Sequence, residues 1–261
     1  RDKKNQKYNQ EVIDFLEKYK QRTLFKNFTI IIAEKHKGLA ASVISGVDQI
    51  INKHGKVIVL EDDLIVSNDF LDYMQRALVY YENDSRIWQI SAYSPDLKIL
   101  ENYTYDTYLF PRGESWGWGT WKDRWNKTDW EVKSYQKFKY NYIEQFLFNI
   151  GGSDLSYMLK LQMKDSNYNS WAIRWCYQEF KERKYTVFPR ENRILHCGND
   201  NRSTHVIGME LQKRLKDKYK RCKFTRQSIN LKLVYHNKMY YKAPSKIKDW
   251  FMDICNRKKN V

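Results

Sequence analysis

Apolar residues along the chain alternate between two spacings. Val12, Ile13, Leu16 and Tyr19 mark one face of Glu11 to Lys20 and predict a helix. Phe28 to Ala33 and Val57 to Leu60 are continuous runs rich in β-branched residues, the pattern of strands buried on both faces. Between them, Leu39, Val43, Val47, Ile50 and Ile51 predict an amphipathic helix that ends near His54-Gly55. A further helix is expected from Asp69 to about Asn83, and a strand from Ile87 to Ala92. Helix and strand in strict alternation predict an α/β fold with a mixed, mostly parallel sheet flanked by helices. Ligand sites in such sheets lie at the carboxyl ends of strands.

The pattern changes after residue 100. Residues 100 to 130 are rich in Tyr, Trp and Gly, and helices are then predicted at about 134 to 149, 153 to 165 and 170 to 183. Two short strands, Tyr185 to Phe188 and Arg193 to His196, precede a polar, glycine-led loop from Gly198 to His205. No apolar run reaches the roughly 18 residues that cross a bilayer, which predicts a soluble or peripheral protein. The 42% apolar and 16% aromatic content of 261 residues excludes a disordered chain. Cys176, Cys197, Cys222 and Cys255 form no closely spaced pair, which argues against a zinc knuckle or disulfide scaffold and makes reduced thiols in the cytoplasm the default.

Charge divides the chain into 1–210 and 211–261. Net charge is +16, and the last 51 residues hold 16 Lys or Arg against three acids, leaving only +3 for the rest. That basic segment is open to three readings: a solvated face, a nucleic-acid patch, or a surface that leans on anionic lipid at the inner membrane. Ile247, Trp250, Phe251 and Ile254 fall at helical spacing among its lysines, the pattern of an amphipathic basic helix or of a terminal helix docked on the body.

Glu61-Asp62-Asp63 is the sharpest chemical feature. Three adjacent carboxylates at the end of a buried strand repel one another, and a hard divalent cation held together with substrate phosphates would relieve that repulsion. A solvated acidic turn capping the next helix is the alternative. Trp116, Trp118 and Trp121, spaced by small residues, can offer flat faces to a sugar ring, although core packing explains the same spacing. His205 could ligate a metal or meet a phosphate, although a lone exposed histidine is the commoner outcome.

Taken in order, Gly38-Leu39, Ser45-Gly46, Val57 to Leu64, Ser67 to Leu71, Ser91-Ala-Tyr93, Ser115 to Trp121 and Ser170 to Trp175 resemble bacterial glycosyltransferases of the GT-A fold. These are in turn similar to the N-acetylglucosaminyltransferase I family. The resemblance covers most of residues 10 to 206, here a GT-A-like domain that lacks the family's first strands. It implies a nucleotide-sugar donor, usually UDP-linked, with Mn²⁺ or Mg²⁺ as cofactor, and a surface glycan or lipid-linked acceptor. Nucleic acid is then the disfavoured partner. The family's metal ligand falls on Asp63, with Glu61 and Asp62 near the donor. Its mobile donor loop falls on Gly198 to His205, with Ser203, Thr204 and His205 as contacts. The segment lining the sugar and acceptor site falls on Arg112, Glu114, Trp116 and Trp118.

Three departures accompany the likeness. Ala33 and His36 stand where such sequences carry Arg and Asn, and Asn169 stands where the general base is expected. An amide cannot take a proton from an acceptor hydroxyl. Asp154, in a family-like Gly-Gly-x-Asp-Leu stretch, is the first substitute, followed by Asp165 and Glu179. The rival expectation is a catalytically degenerate transferase scaffold that binds nucleic acid or anionic surfaces, favoured by these departures and by the basic segment.

Overall fold

The computed structural model describes residues 3–165, 168–197 and 215–242, with side chains from residue 8 onward, and the chain separates into two compact units, Arg1–Gly38 and Leu39–Val261. In the first unit, helix α1 (Lys3–Lys20) carries the predicted period, and the Tyr19 ring meets Phe28 with centroids 5.8 Å apart. The Phe28 to Ala33 run is not a strand: Ile31 and Ile32 are 65% and 59% exposed, and no described segment pairs with it. β propensity expresses a fit to a half-buried ladder, and without a ladder partner the run stays extended but unpaired.

The second unit is organised by a five-stranded sheet in the order β1-β5-β3-β6-β4. Its strands are β1 (Lys56–Val59), β3 (Ile87–Ser91), β4 (Thr107–Phe110), β5 (Trp118–Trp121) and β6 (Tyr185–Pro189). Only β3 and β6 pair in parallel; β1 with β5, β3 with β5 and β4 with β6 are antiparallel. The expected mostly parallel sheet is therefore corrected to a mixed, mostly antiparallel one. The physical reason is that two strands lie in the Tyr/Trp/Gly stretch, where neither alternation nor a β-branched run announces them. A separate two-stranded ribbon pairs β2 (Leu64–Val66) with β7 (Ile194–His196).

Side chains alternate across this sheet and define two cores. On one face, α3 (Phe70–Tyr80) packs Phe70, Tyr73, Met74, Ala77 and Leu78 against Ile58, Ile90 and Trp121. On the other, Val57 and Trp118 meet Ala40, Val47 and Ile51 of α2 (Leu39–His54) and Trp171 and Trp175 of α8 (Trp171–Lys181). Gly119 belongs in the centre of β5 because a Cβ there would sit 2.8 Å from the Val57 carbonyl and crowd Met74 and Leu78. The predicted 134 to 149 helix breaks into α5 (Tyr135–Phe138) and α6 (Tyr142–Phe148), whereas the 153 to 165 helix is α7 (Leu155–Lys164); α4 is the short turn Lys122–Trp125.

Residues 215–242 pack on the same unit. Arg76 donates to the Cys222 carbonyl at 2.8 Å, Arg86 to that of Gln227 at 2.8 Å, and Tyr81 to that of Thr225 at 3.1 Å. Helix α9 (Leu231–Tyr240) starts at Asn230, whose side chain accepts from the Lys232 and Leu233 amides, and it buries Leu233 and Val234 beside Tyr108, Phe110 and Phe188. The predicted helix around Ile247, Trp250, Phe251 and Ile254 lies outside the described residues. Among the described residues no helix is long and apolar enough to cross a membrane.

Candidate active site

Strand register assembles the site at one end of the sheet. Val59 of β1 and Ser91 of β3 both pair with Trp118, so Glu61, Tyr93 and Trp116 project from the same edge. The turn into β5 is made by Gly117 at φ +59, where a Cβ would strike Ile194 at 2.5 Å; its carbonyl accepts from the Ala92 amide at 2.8 Å. β2 then carries the chain away from Asp63, and Leu64 pairs with His196 of β7, which closes one side of the edge.

Asp63 is the focus. Its Oδ2 lies 2.9 Å from His196 Nε2, and its carbonyl accepts from the Cys197 amide at 2.8 Å. Its Oδ1 is buried and has no protein partner. An orphaned carboxylate oxygen costs roughly 1–3 kcal/mol or more, and such an atom calls for a ligand. The His196 ring stacks on Trp116 with centroids 4.8 Å apart, and Trp116 meets Tyr93 edge-on at 4.9 Å. Glu61 is pushed up to about 7 by burial and by the charges of Asp63, Asp62 and Glu114. Asp62 is exposed.

Glu114 is held from several sides. Burial raises its carboxyl, while Arg112, the Ser115 amide and the Tyr241 hydroxyl, 3.0 Å away, act in the opposite direction. Gln89 donates to its carbonyl at 2.8 Å and accepts from the Trp175 indole. Arg112 makes two bonds to Asp154, at 2.8 and 2.9 Å, and its guanidinium lies 3.9 Å from the centre of the Tyr241 ring. Both members of that pair are largely enclosed, with side chains 11% and 15% exposed.

Glu61, Asp62, Asp63, Glu114 and Trp116 thus share one edge, with Arg112 and Asp154 behind Glu114. Trp118 does not face that edge: it is 0% exposed, stacked 5.0 Å from Trp171 and 5.8 Å from Trp125, and belongs to the core. Gly198, Ser203, Thr204 and His205 lie outside the described residues. Asn169 is exposed and accepts from Arg174 Nη2 at 2.9 Å, and exposed Asp165 ends α7 four residues earlier. Glu179 is 1% exposed, accepts from Thr186 at 2.8 Å, and is held well above the usual carboxylate range by burial. It is a neutral core acid, unsuited to taking a proton from a solvent-side hydroxyl.

Two contributors carry almost no local signal in the sequence. His196 reads as the last residue of a minor strand, and only its register with Leu64 brings it to Asp63. Tyr241 sits more than a hundred residues from Glu114, in the basic segment. Its sole mark is an aromatic pair, Tyr240-Tyr241, at the end of a helical stretch.

Among the described residues no three His, Cys, Asp or Glu side chains converge on a preformed metal site. The residues nevertheless suit a cation that takes one carboxylate oxygen from the protein and the rest from phosphate and water, which is how Mg²⁺ and Mn²⁺ are commonly held beside nucleotides. The free Asp63 Oδ1, and the burial and neighbouring carboxylates that together raise Glu61, are the observations behind that fit.

Residues 3–128 match the model of the GNT-I family. Over 150 residues the chain is 26% identical to an alpha-1,3-mannosyl-glycoprotein 2-beta-N-acetylglucosaminyltransferase of Arabidopsis thaliana, a stretch that covers 49% of this chain and 33% of that relative. The match thus spans about a third of the relative's length.

Proposed function

We propose that this GNT-I-like chain is a glycosyltransferase that moves a sugar from a nucleotide-diphosphate donor, UDP-linked, to a hydroxyl of a glycan or lipid-linked acceptor. The observation that carries the reading is the buried, partnerless Oδ1 of Asp63 at the mouth of an acidic edge. Asp63 would hold Mn²⁺ or Mg²⁺ there. When bound, the ion supplies Lewis acidity that neutralises charge developing on the departing diphosphate.

The remaining work falls to the chain's own groups. His196 takes one Asp63 oxygen at 2.9 Å and so leaves the other without a protein partner. Trp116, backed by His196 and Tyr93, offers a sugar ring a flat, preorganised face. Glu114, braced by Gln89 and Tyr241, is an acceptor for sugar hydroxyls. The proton of the acceptor hydroxyl is the open step. Asp154 has both oxygens engaged by Arg112, Asn169 is an amide, and Asp165, four residues before Asn169 in the chain, is exposed and is the base to test alongside Asp154.

Isothermal titration of UDP into the full-length protein, with and without Mn²⁺, tests the reading. Metal-linked binding that disappears in Asp63→Asn is expected; equal binding without metal, or none under any condition, overturns it. Turnover that rises in Asn169→Asp and falls in Asp165→Asn would support the base assignment, and an unchanged rate in both would remove it.

A further inference from the structure

A cavity lies at the other end of β1, away from the acidic edge. Its volume is about 730 Å³, and its lining includes Lys122, Arg124, Lys127, Lys184, Glu82 and Trp121. Trp121 pairs with Lys56 at the start of β1, whereas Glu61 follows its end, so a strand length of roughly 10 Å separates the two places.

The cavity has a fixed cation at its base. The Arg124 side chain is 6% exposed, and its guanidinium donates to the carbonyls of Ile87, Glu82 and Asp84 at 3.3, 2.6 and 3.4 Å. It also lies 4.5 Å from the centre of the Trp121 ring. Carbonyls and an indole anchor the group, and its Nη1 donates at 2.7 Å to a carboxylate that also lines the cavity. Its carboxylate partner is Asp123, whose side chain is 63% exposed. Glu82 is engaged by Lys56 at 3.0 Å, and Lys127 by Glu182 at 3.3 Å. Lys184 faces the Trp88 ring at 5.6 Å, and Lys122 reaches only the Asn52 carbonyl at 3.5 Å. Among the described residues no carboxylate stands within ion-pair distance of either lysine. Burial first, then Lys127 and Arg124, hold the Lys184 ammonium below its ordinary range, against the opposing pull of Glu182 and Asp123.

We propose that this cleft is a binding site for a phosphate-type oxyanion, with Lys122 and Lys184 as the principal charges and Arg124, paired with Asp123, as the anchored cation behind them. A multiply charged oxyanion suits the arrangement because guanidinium and ammonium donors make their strongest hydrogen bonds to such groups, and a recessed anchor presents them in fixed geometry. The site is independent of the transferase reading and stands whether or not that reading holds. The phosphate can be free in solution or carried on a lipid headgroup.

The test uses the full-length protein with its lysines dimethylated by ¹³C-formaldehyde, in EDTA so that no metal at Asp63 can capture the probe. Titration with inorganic pyrophosphate should shift the Lys122 and Lys184 methyl signals saturably, and Lys184→Gln, followed at the Lys122 methyls, should weaken binding about tenfold, or roughly 1.4 kcal/mol, with Lys184→Arg close to wild type. Thermal melting of each variant checks that the fold survives, and Asp63→Asn should leave the titration unchanged. In parallel, sedimentation with phosphatidylcholine vesicles, with or without phosphatidic acid, separates the sources. Lys184-dependent capture by the acidic vesicles assigns the site to a headgroup, and a pyrophosphate response without capture assigns it to soluble phosphate. A response to neither probe, or equal responses in wild type and Lys184→Gln, overturns the proposal.

Discussion

Trp116 and Trp118 are separated by one glycine and serve opposite regions. Trp118 is wholly enclosed among Trp88, Trp125, Trp171 and Trp175, in a core where apolar contact does most of the work. Trp116 stands at the sheet edge between His196 and Tyr93, amid carboxylates, one of which has an oxygen with no partner. Burial of large apolar side chains stabilises the first region, while the second concentrates charge that burial makes unfavourable. The lesson is that β5 couples them: a fold can tolerate frustrated carboxylates at one end of a strand because the aromatic core anchors the same strand.

Substitutions that attack each side separately break or sharpen that contrast. Trp118→Ala should have the largest effect, a loss of about 3–5 kcal/mol in denaturant unfolding, because it opens a cavity the neighbouring indoles cannot close. Asp154→Ala should follow at about 3 kcal/mol, since it strands the enclosed Arg112 guanidinium. Glu179→Gln should stabilise by about 1 kcal/mol, with a defined pH dependence. Burial keeps the folded-state carboxyl protonated after the unfolded chain's glutamate ionises, so the native state holds the extra proton and wild-type stability falls as pH rises above the usual carboxylate range. The variant lacks that fall, and melting curves from acid to neutral pH should diverge upward; parallel curves would contradict a neutral Glu179. Asp63→Asn is expected to change stability by less than about 1 kcal/mol, because it removes a charge that crowds Glu61. Its consequence is to be read in metal-linked UDP binding. Lys133→Ala, which breaks a pair whose side chains are 77% exposed, is the control and should stay within about 0.5 kcal/mol.

Much of the frame is legible in the sequence alone. β1, α2, α3, β3, α8 and β6 lie close to where their apolar spacing puts them, because each buries one clear face or run. β4 and β5 are not legible: Trp118-Gly-Thr-Trp121 has the composition of a loop, and its strand conformation is imposed by ladders to β1 and β3 on either side. Those ladders also turn the balance of the sheet from parallel to antiparallel. In the candidate site, Glu61 to Asp63 announce themselves as three acids after a strand, whereas His196 and Tyr241 contribute through contacts that no local pattern encodes. Trp118 resembles a sugar platform only while its segment is taken for a loop; the left-handed turn at Gly117 parts it from Trp116, and alternation along β5 sends it to the face opposite Trp121.

The strand order β1-β5-β3-β6-β4 also sets a timetable for synthesis. β1 and β3 are the first two strands of this sheet to emerge but must wait for β5 to slot between them, and β4 has no partner until β6 emerges some 75 residues later. At ribosomal rates of about 5–20 residues per second, the interval from residue 56 to residue 189 is on the order of ten seconds. Throughout it the nascent chain displays open edges that can pair with a neighbouring polypeptide. Expression at lowered temperature or with added chaperone should therefore change the yield of this protein more than that of one whose strands pair in order of appearance.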